Sequence, residues 1–320
     1  MRCLVAASLF IADGIASAQP QPVVPWSCTT LNASSLSPRG VQYERLSCTS
    51  PRGIPIFGPA GPITVNKVSF NLSSAGLVLK PVTAPRGTLA GLDSIAATDP
   101  SLLAGINGPY FYRVDVATFV DGVCLGKTRA NALQPASAKL PNDGLGDGAI
   151  IVGGVLLSSN CDCVGYSRPA VLSINGSDTR VDVLHRGDAP PAGLSLDALS
   201  AGPNLVTTNG TGTFINIPSD DDNIGNILEH SANTAFGITK DGVAMLVTTD
   251  GYDGCPLLNT SCGTNAFTLA YLLRDAFGAA TALGMDQGGS TTLWTKQYGV
   301  VSSSGGGPRP IYAGLFVAEV

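Results

Sequence analysis

Histidine is nearly absent from this chain: His185 and His230 are its two examples in 320 residues. A Ser-His or Cys-His relay therefore has almost no base to draw on. Charge is sparse too, with 13% Asp, Glu, Lys and Arg, 18 scattered basic residues and a net charge of −5. That disfavours a nucleic-acid partner, because neutralising successive phosphates takes clustered Lys and Arg. An acidic chain must bind an anion through a local site, not through its overall field. No apolar run reaches the ~20 residues that a membrane-spanning helix needs, so no membrane span is expected. The sequence calls for no cofactor and presents no metal-ligand set, leaving a divalent cation such as calcium open; oligomeric state is not legible.

What is abundant is small and apolar: 44% hydrophobic residues, 39 glycines and 22 prolines. That content can bury a sizeable core and is too apolar for disorder. Arg2, the apolar stretch Cys3 to Ala12 and the small-residue ending Ala16-Ser17-Ala18 read as a signal peptide over residues 1–18. The expectation is export, to a secreted or secretory-pathway location. Loss of the leader leaves Cys28, Cys48, Cys124, Cys161, Cys163, Cys255 and Cys262, an odd number suited to disulfides in an oxidising compartment. Cys28 with Cys48 could staple the N-terminal part, Cys255 and Cys262 close a short loop, and Cys161-Asp162-Cys163 reads as disulfide cysteines more readily than as a zinc site. Sequons at Asn32, Asn71, Asn175, Asn209 and Asn259 are compatible with glycosylation.

Residues 19–62 carry Pro20, Pro22, Pro25, Pro38, Pro51, Pro55, Pro59 and Pro62 and read as an extension without regular structure. A single domain is expected over 63–320, with short β-branched runs punctuated by Gly and Asn. Leu269, Leu272, Leu273, Ala276 and Phe277 fall on one helical stripe beginning near Thr268 and stopped by Gly278. A second helix is expected over Leu89 to Ala97. Lys240-Asp241-Gly242 between two β-rich runs predicts a hairpin over 233–249. The fold class is therefore α+β: a mixed, largely antiparallel sheet core with a few packing helices.

Three predicted strands end in polar clusters: Asn107-Gly108, Asp250-Gly251 and Asp286-Gln287-Gly288-Gly289-Ser290-Thr291-Thr292. The last combines an acid, two glycines that let backbone approach a ligand, and hydroxyls that can hold an oxyanion. A plain β-turn with an Asp start explains the same letters. Asp250 is the second candidate carboxylate, since glycoside cleavage ordinarily takes two flanking acids; it too could be a turn residue. Ser290 lacks a Gly-X-Ser-X-Gly elbow, which argues against a serine nucleophile. Asp220-Asp221-Asp222-Asn223 lacks the alternation and distal Glu of an EF-hand and reads as a solvated loop.

Several segments, in order, resemble the phosphodiester glycosidase family. Ala104 to Phe111 is similar to its Asn-Gly-Gly-Phe-Phe segment, and Leu199 to Val206 with Asn209-Gly210 to its Ser-Gly-Pro-X-Leu-Val stretch. Asn233 to Ile238 with Asp250-Gly251 resembles its Arg-Thr-Ala-X-Gly segment and Asp-Gly; Asp286 to Ser290 resembles its Asp-Gly-Gly-Gly-Ser signature, and Arg309-Pro310 its late Arg-Pro. The resemblance implies a secreted hydrolase that releases a sugar from a sugar-1-phosphodiester glycan. It implies Asp286 as nucleophile or base and Asp250 as its partner. Asn107, Gly288, Gly289, Ser290, Thr291, Arg309, Asn233 and His230 would then bind phosphate or sugar. Two positions depart from the pattern: Asn233 stands where the family has Arg, and Gln287 where it has Gly. The alternative that these departures raise is a noncatalytic glycan-binding or surface protein that keeps the fold.

Overall fold

The computed structural model describes residues 21, 23–50, 62–85, 88–111, 119–120, 123–124, 150–158, 170–183, 197–209, 212–215, 230–252, 263–302 and 304–320. The expected leader, Cys161, Cys163, Cys255, Cys262 and the Asp220 to Asn223 loop lie outside them.

The N-terminal elements are β1 (Ser27–Ser37), β2 (Val41–Thr49), β3 (Ile63–Asn71), β4 (Leu77–Thr83), helix α1 (Leu92–Ala96) and β5 (Leu102–Asn107). The middle holds β6 (Phe119–Val120), β7 (Val123–Cys124), β8 (Ile150–Val152), β9 (Val155–Ser158), β10 (Ala170–Ile174), β11 (Arg180–Val183), β12 (Asp197–Ala201), β13 (Asn204–Asn209) and β14 (Gly212–Ile215). The C-terminal part adds β15 (Asn233–Thr239), β16 (Val243–Thr249), helix α2 (Ala266–Tyr271), β17 (Ala279–Gly284), β18 (Leu293–Thr295), β19 (Gly299–Val300) and β20 (Ala313–Glu319).

An eight-stranded sheet runs β1-β2-β3-β16-β15-β17-β13-β14, and a five-stranded sheet runs β19-β18-β5-β20-β4. A second five-stranded sheet is ordered β11-β10-β12-β8-β9. The protein is thus mostly β-sheet with few helices. The expectation of a mixed sheet is corrected: every strand pairing among the described residues is antiparallel.

Strand alternation assigns the two faces of the large sheet. Val68, Phe70, Leu246, Phe236 and Leu283 point into one core shared with Ile106, Leu315 and Val317 of the neighbouring five-stranded sheet. Val65, Val247, Ala235 and Ala282 point the other way, onto the Leu269, Leu272 and Leu273 stripe of α2. That helix starts two residues before Thr268, because the Asn265 side chain caps it by accepting from the Thr268 N–H at 2.9 Å. It continues as a wider π turn over Leu272–Ala276 and ends before Gly278, whose φ of 71° suits glycine. The Asp-Gly hairpin forms as expected, with Gly242 at φ 81° and its N–H bonded to Thr239 O.

The stretch from 27 to 49 departs from the expected irregular extension. β1 and β2 form a hairpin that extends the large sheet through β3, and Cys28 and Cys48 are joined by a disulfide at directly opposed positions. The prolines bracket this hairpin: Pro20, Pro22 and Pro25 precede it, Pro38 sits in its turn and Pro51 follows it. Pro25 and Pro38, the described ones, fall outside both strands where a ladder hydrogen bond is not needed, so proline density did not exclude strands.

Candidate active site

β16 and β17 both run antiparallel to the strand between them, β15, so their C-terminal ends lie at the same end of the large sheet. Asp250 follows β16 and Asp286 follows β17. Two strand spacings of about 4.8 Å separate those ends, or about 10 Å between backbones. The two candidate acids therefore lie at the same sheet end, with the Ala232-Asn233 start of β15 between them.

Asp286 is buried, and its Oδ2 accepts a short hydrogen bond from the Ser290 hydroxyl. Arg309 binds the same pair: Nε donates to Ser290 Oγ at 2.7 Å, while Nη2 lies 3.5 Å from both Asp286 Oδ2 and the Gln287 carbonyl. Arg309 also donates its backbone N–H to Gly289 O, which ties the late Arg-Pro segment to the glycine turn. A Cβ at Gly289 would meet the Arg309 side chain at 3.5 Å, and Gly288 has φ 64° with its N–H on Ala232 O. The positive φ at Gly288 thus lets the turn wrap the start of β15, while the Gly289 contact is an ordinary one. About a third of the Arg309 side chain is exposed (36%), against 5% for Asp286.

Asn107 is fully buried and joins three elements. Its Nδ2 donates to the backbone carbonyls of Asp286 at 2.8 Å and Gly108 at 3.3 Å. Its Oδ1 accepts from Thr234 Oγ1 at 2.7 Å and from the Thr292 N–H at 3.0 Å. The carbonyls can only accept and the Thr292 amide can only donate, so the orientation of the amide follows from its partners. In the structure Asn107 is a clamp holding the Asp286 backbone to the five-stranded sheet, not a group presented at the surface.

Asp250 is held by residues of the N-terminal strands. Asn66 Nδ2 donates to its Oδ1 at 2.9 Å, and Arg45 Nη2 lies 3.4 Å from its Oδ2. Tyr43 OH donates in turn to Asn66 Oδ1 at 3.1 Å. Burial pushes the Tyr43 phenol above its ordinary pKa, with Arg45 opposing and Asp250 adding to the shift, so it serves as a donor at neutral pH. Tyr43, Arg45 and Asn66 were not singled out in the sequence. The Val41-Gln42-Tyr43-Glu44 alternation is the signal for β2, which carries Tyr43 and Arg45, while Asn66 lies on β3.

Asn233 is also buried. Its Nδ2 donates to Ser231 O at 3.1 Å and to both oxygens of Thr264, so its amide braces the start of β15. Thr264 and Thr249 hydroxyls are 2.8 Å apart beside it. His230 immediately precedes this brace, whose backbone bridge joins Ser231 and Thr264. The Thr291 and Thr248 hydroxyls are buried without a hydrogen-bond partner among the described residues. Among those residues no three His, Cys, Asp or Glu gather to hold a metal, and no helix is long and apolar enough to cross a membrane.

A scan against protein families matches the phosphodiester glycosidase family over residues 104–318, about two thirds of the chain. The chain belongs to the phosphodiester glycosidase family. Among solved structures, the fold is similar to the catalytic domain of zebrafish N-acetylglucosamine-1-phosphodiester alpha-N-acetylglucosaminidase, auto-inhibited by its pro-peptide. That match has TM-score 0.54 and 18% identity, covering 95% of this chain and 86% of that one. A Synechocystis protein aligns with TM-score 0.54 and 16% identity over 88% of this chain, which spans 62% of its length. A Burkholderia pseudomallei protein described as exported aligns with TM-score 0.52 and 15% identity, covering 93% and 98% of the two chains. A search of curated proteins found no match. At these identities the structural likeness speaks for the fold. The family match itself spans Asn107, Asp250, Asp286, Ser290 and Arg309.

Proposed function

We propose that this protein is an exported hydrolase that releases a sugar from a sugar-1-phosphodiester, cleaving between the anomeric carbon and the phosphate oxygen. One observation carries the reading: Asp286, Ser290 and Arg309 form one hydrogen-bonded cluster at the sheet end that also carries Asp250, inside the family-matched stretch. In this reading the exposed part of the Arg309 guanidinium, with Thr291, holds the anionic phosphate, while Ser290, its one proton given to Asp286, positions the carboxylate and the guanidinium. Asp286 acts at the anomeric carbon as nucleophile or as base toward water, and Asp250 is its partner. A phosphomonoester leaves as a stable anion, so protonation of the leaving group matters less and the scarcity of His is no obstacle. Asn107 contributes by fixing the Asp286 backbone. Residues that order reacting groups in a water-poor site lower the barrier without touching the substrate. Export is supported by the leader-like N-terminus and by the Cys28–Cys48 disulfide.

The test offers UDP-GlcNAc and a GlcNAc-phospho-methylmannoside to purified protein, with and without chelator, and measures free sugar. Release by the native protein is expected, with a drop of about 100- to 10,000-fold for Asp286→Ala. Full turnover by that variant would refute the assignment. The buried Asn233 in place of a family arginine favours a second reading, a glycan-binding protein without turnover. Sugar bound but never released would support that one.

A further inference from the structure

The large sheet has a second exposed guanidinium at the same end, on a strand that lies outside the family-matched residues. Cross-strand register places it. Arg45 on β2 is opposite Asn66 on β3, Asn66 is opposite Thr248 on β16, and Thr248 is opposite Thr234 on β15. Directly opposed residues of antiparallel strands share a face. Arg45 therefore lies in the row that ends at the Thr234–Asn107 hydrogen bond, on the face from which Asp250 projects. Its side chain is 45% exposed, and the contact to Asp250 Oδ2 uses one of the five N–H donors of a guanidinium.

We infer that Arg45 binds the substrate's phosphate. A phosphate approaching this end meets the negative charge of Asp250. Asp250 Oδ1 is taken by Asn66 and Oδ2 faces Arg45, so the guanidinium stands against that carboxylate and offsets its repulsion. Its remaining donors form a planar fork suited to two phosphate oxygens. Asn233, on the neighbouring strand, is buried with its amide committed to Ser231 and Thr264, so β15 brings no cation here. The Tyr43–Asn66–Asp250 chain fixes the carboxylate that Arg45 leans on, which aims the fork. Arg45 and Arg309 then flank the two acids, one beside each. The inference rests on the phosphodiester reading of the site.

Calorimetric titration of the full protein with GlcNAc-1-phosphate and with GlcNAc separates the two ideas, on the native protein, Arg45→Met and Arg45→Lys. Native protein should bind the sugar phosphate more tightly than the free sugar. Arg45→Met should weaken sugar-phosphate binding about 10- to 100-fold and change GlcNAc binding by less than about twofold, with Arg45→Lys in between. A native protein indifferent to the phosphate, an Arg45→Met variant with undiminished phosphate preference, or equal loss of both ligands would overturn the inference. Charge-selective binding through Arg45 with no sugar release from any phosphodiester would sink the hydrolase reading and leave Arg45 standing. Release with an unchanged KM in Arg45→Met would do the reverse.

Discussion

Asn107→Asp changes one atom type at the centre of the clamp and keeps the size of the side chain. Two N–H donors become an oxygen facing the carbonyls of Asp286 and Gly108, at 2.8 and 3.3 Å in the native protein, while the contacts from Thr234 and Thr292 can persist. The Gly108 carbonyl keeps the Asp286 N–H at 3.2 Å, so the main loss is the bond to the Asp286 carbonyl, about 1–3 kcal/mol at neutral pH. Repulsion between the new charge and the carbonyls adds to that in a site with no water contact. Urea unfolding followed by intrinsic fluorescence would report it as a lower midpoint at unchanged m-value. Phosphodiester turnover should fall further than the population of folded protein explains, because the Asp286 carbonyl loses the side-chain bond that orients it. A loss of stability below about 1 kcal/mol would refute the clamp, as would turnover that tracks only the folded fraction.

Gly263 has φ 102°, and a Cβ there would lie 2.1 Å from Ser231 O and 3.0 Å from Asp250 O; Gly263→Ala should cost about 3 kcal/mol or more in thermal unfolding, and an unchanged Tm would refute the packing. Cys28 and Cys48 are 20 residues apart, so replacing both with Ser should cost about 3 kcal/mol, read by urea unfolding of the oxidised native protein beside the variant. Asp99 accepts from Lys80 and Ser101, and its pKa is lowered to about 2 from 3.8. A folded pKa below the unfolded one contributes stability above about pH 4 that disappears as pH falls toward 2. Asp99→Asn should therefore be less stable than the native protein at pH 6 and equal to it near pH 2 in a series of thermal melts; a pH-independent difference would contradict the assignment.

Local pattern sufficed for much of the fold. The α2 stripe, the Asp-Gly hairpin and the apolar strands running into Asn107, Asp250 and Asp286 all rest on periodicity or turn chemistry within about ten residues of chain. Of the five sequon asparagines, Asn32, Asn71, Asn175 and Asn209 are exposed, as attachment of a glycan would require. Proline density hides the 27–49 hairpin, because the effect of proline depends on where each ring falls along a strand.

The amino-acid order alone marked several of the strands, among them the three that stop in acids, amides and glycines. It also carried enough of the family's motifs to place the chain among phosphodiester glycosidases. Which of those strand ends meet was decided by the sheet: Asn107 holds the Asp286 backbone across 179 residues of sequence, and Arg45 reaches Asp250 across 205. A lone Arg in a Pro-flanked stretch has no local signature, since its partner is chosen by strand order and register, and those emerge only when distant apolar faces are buried together.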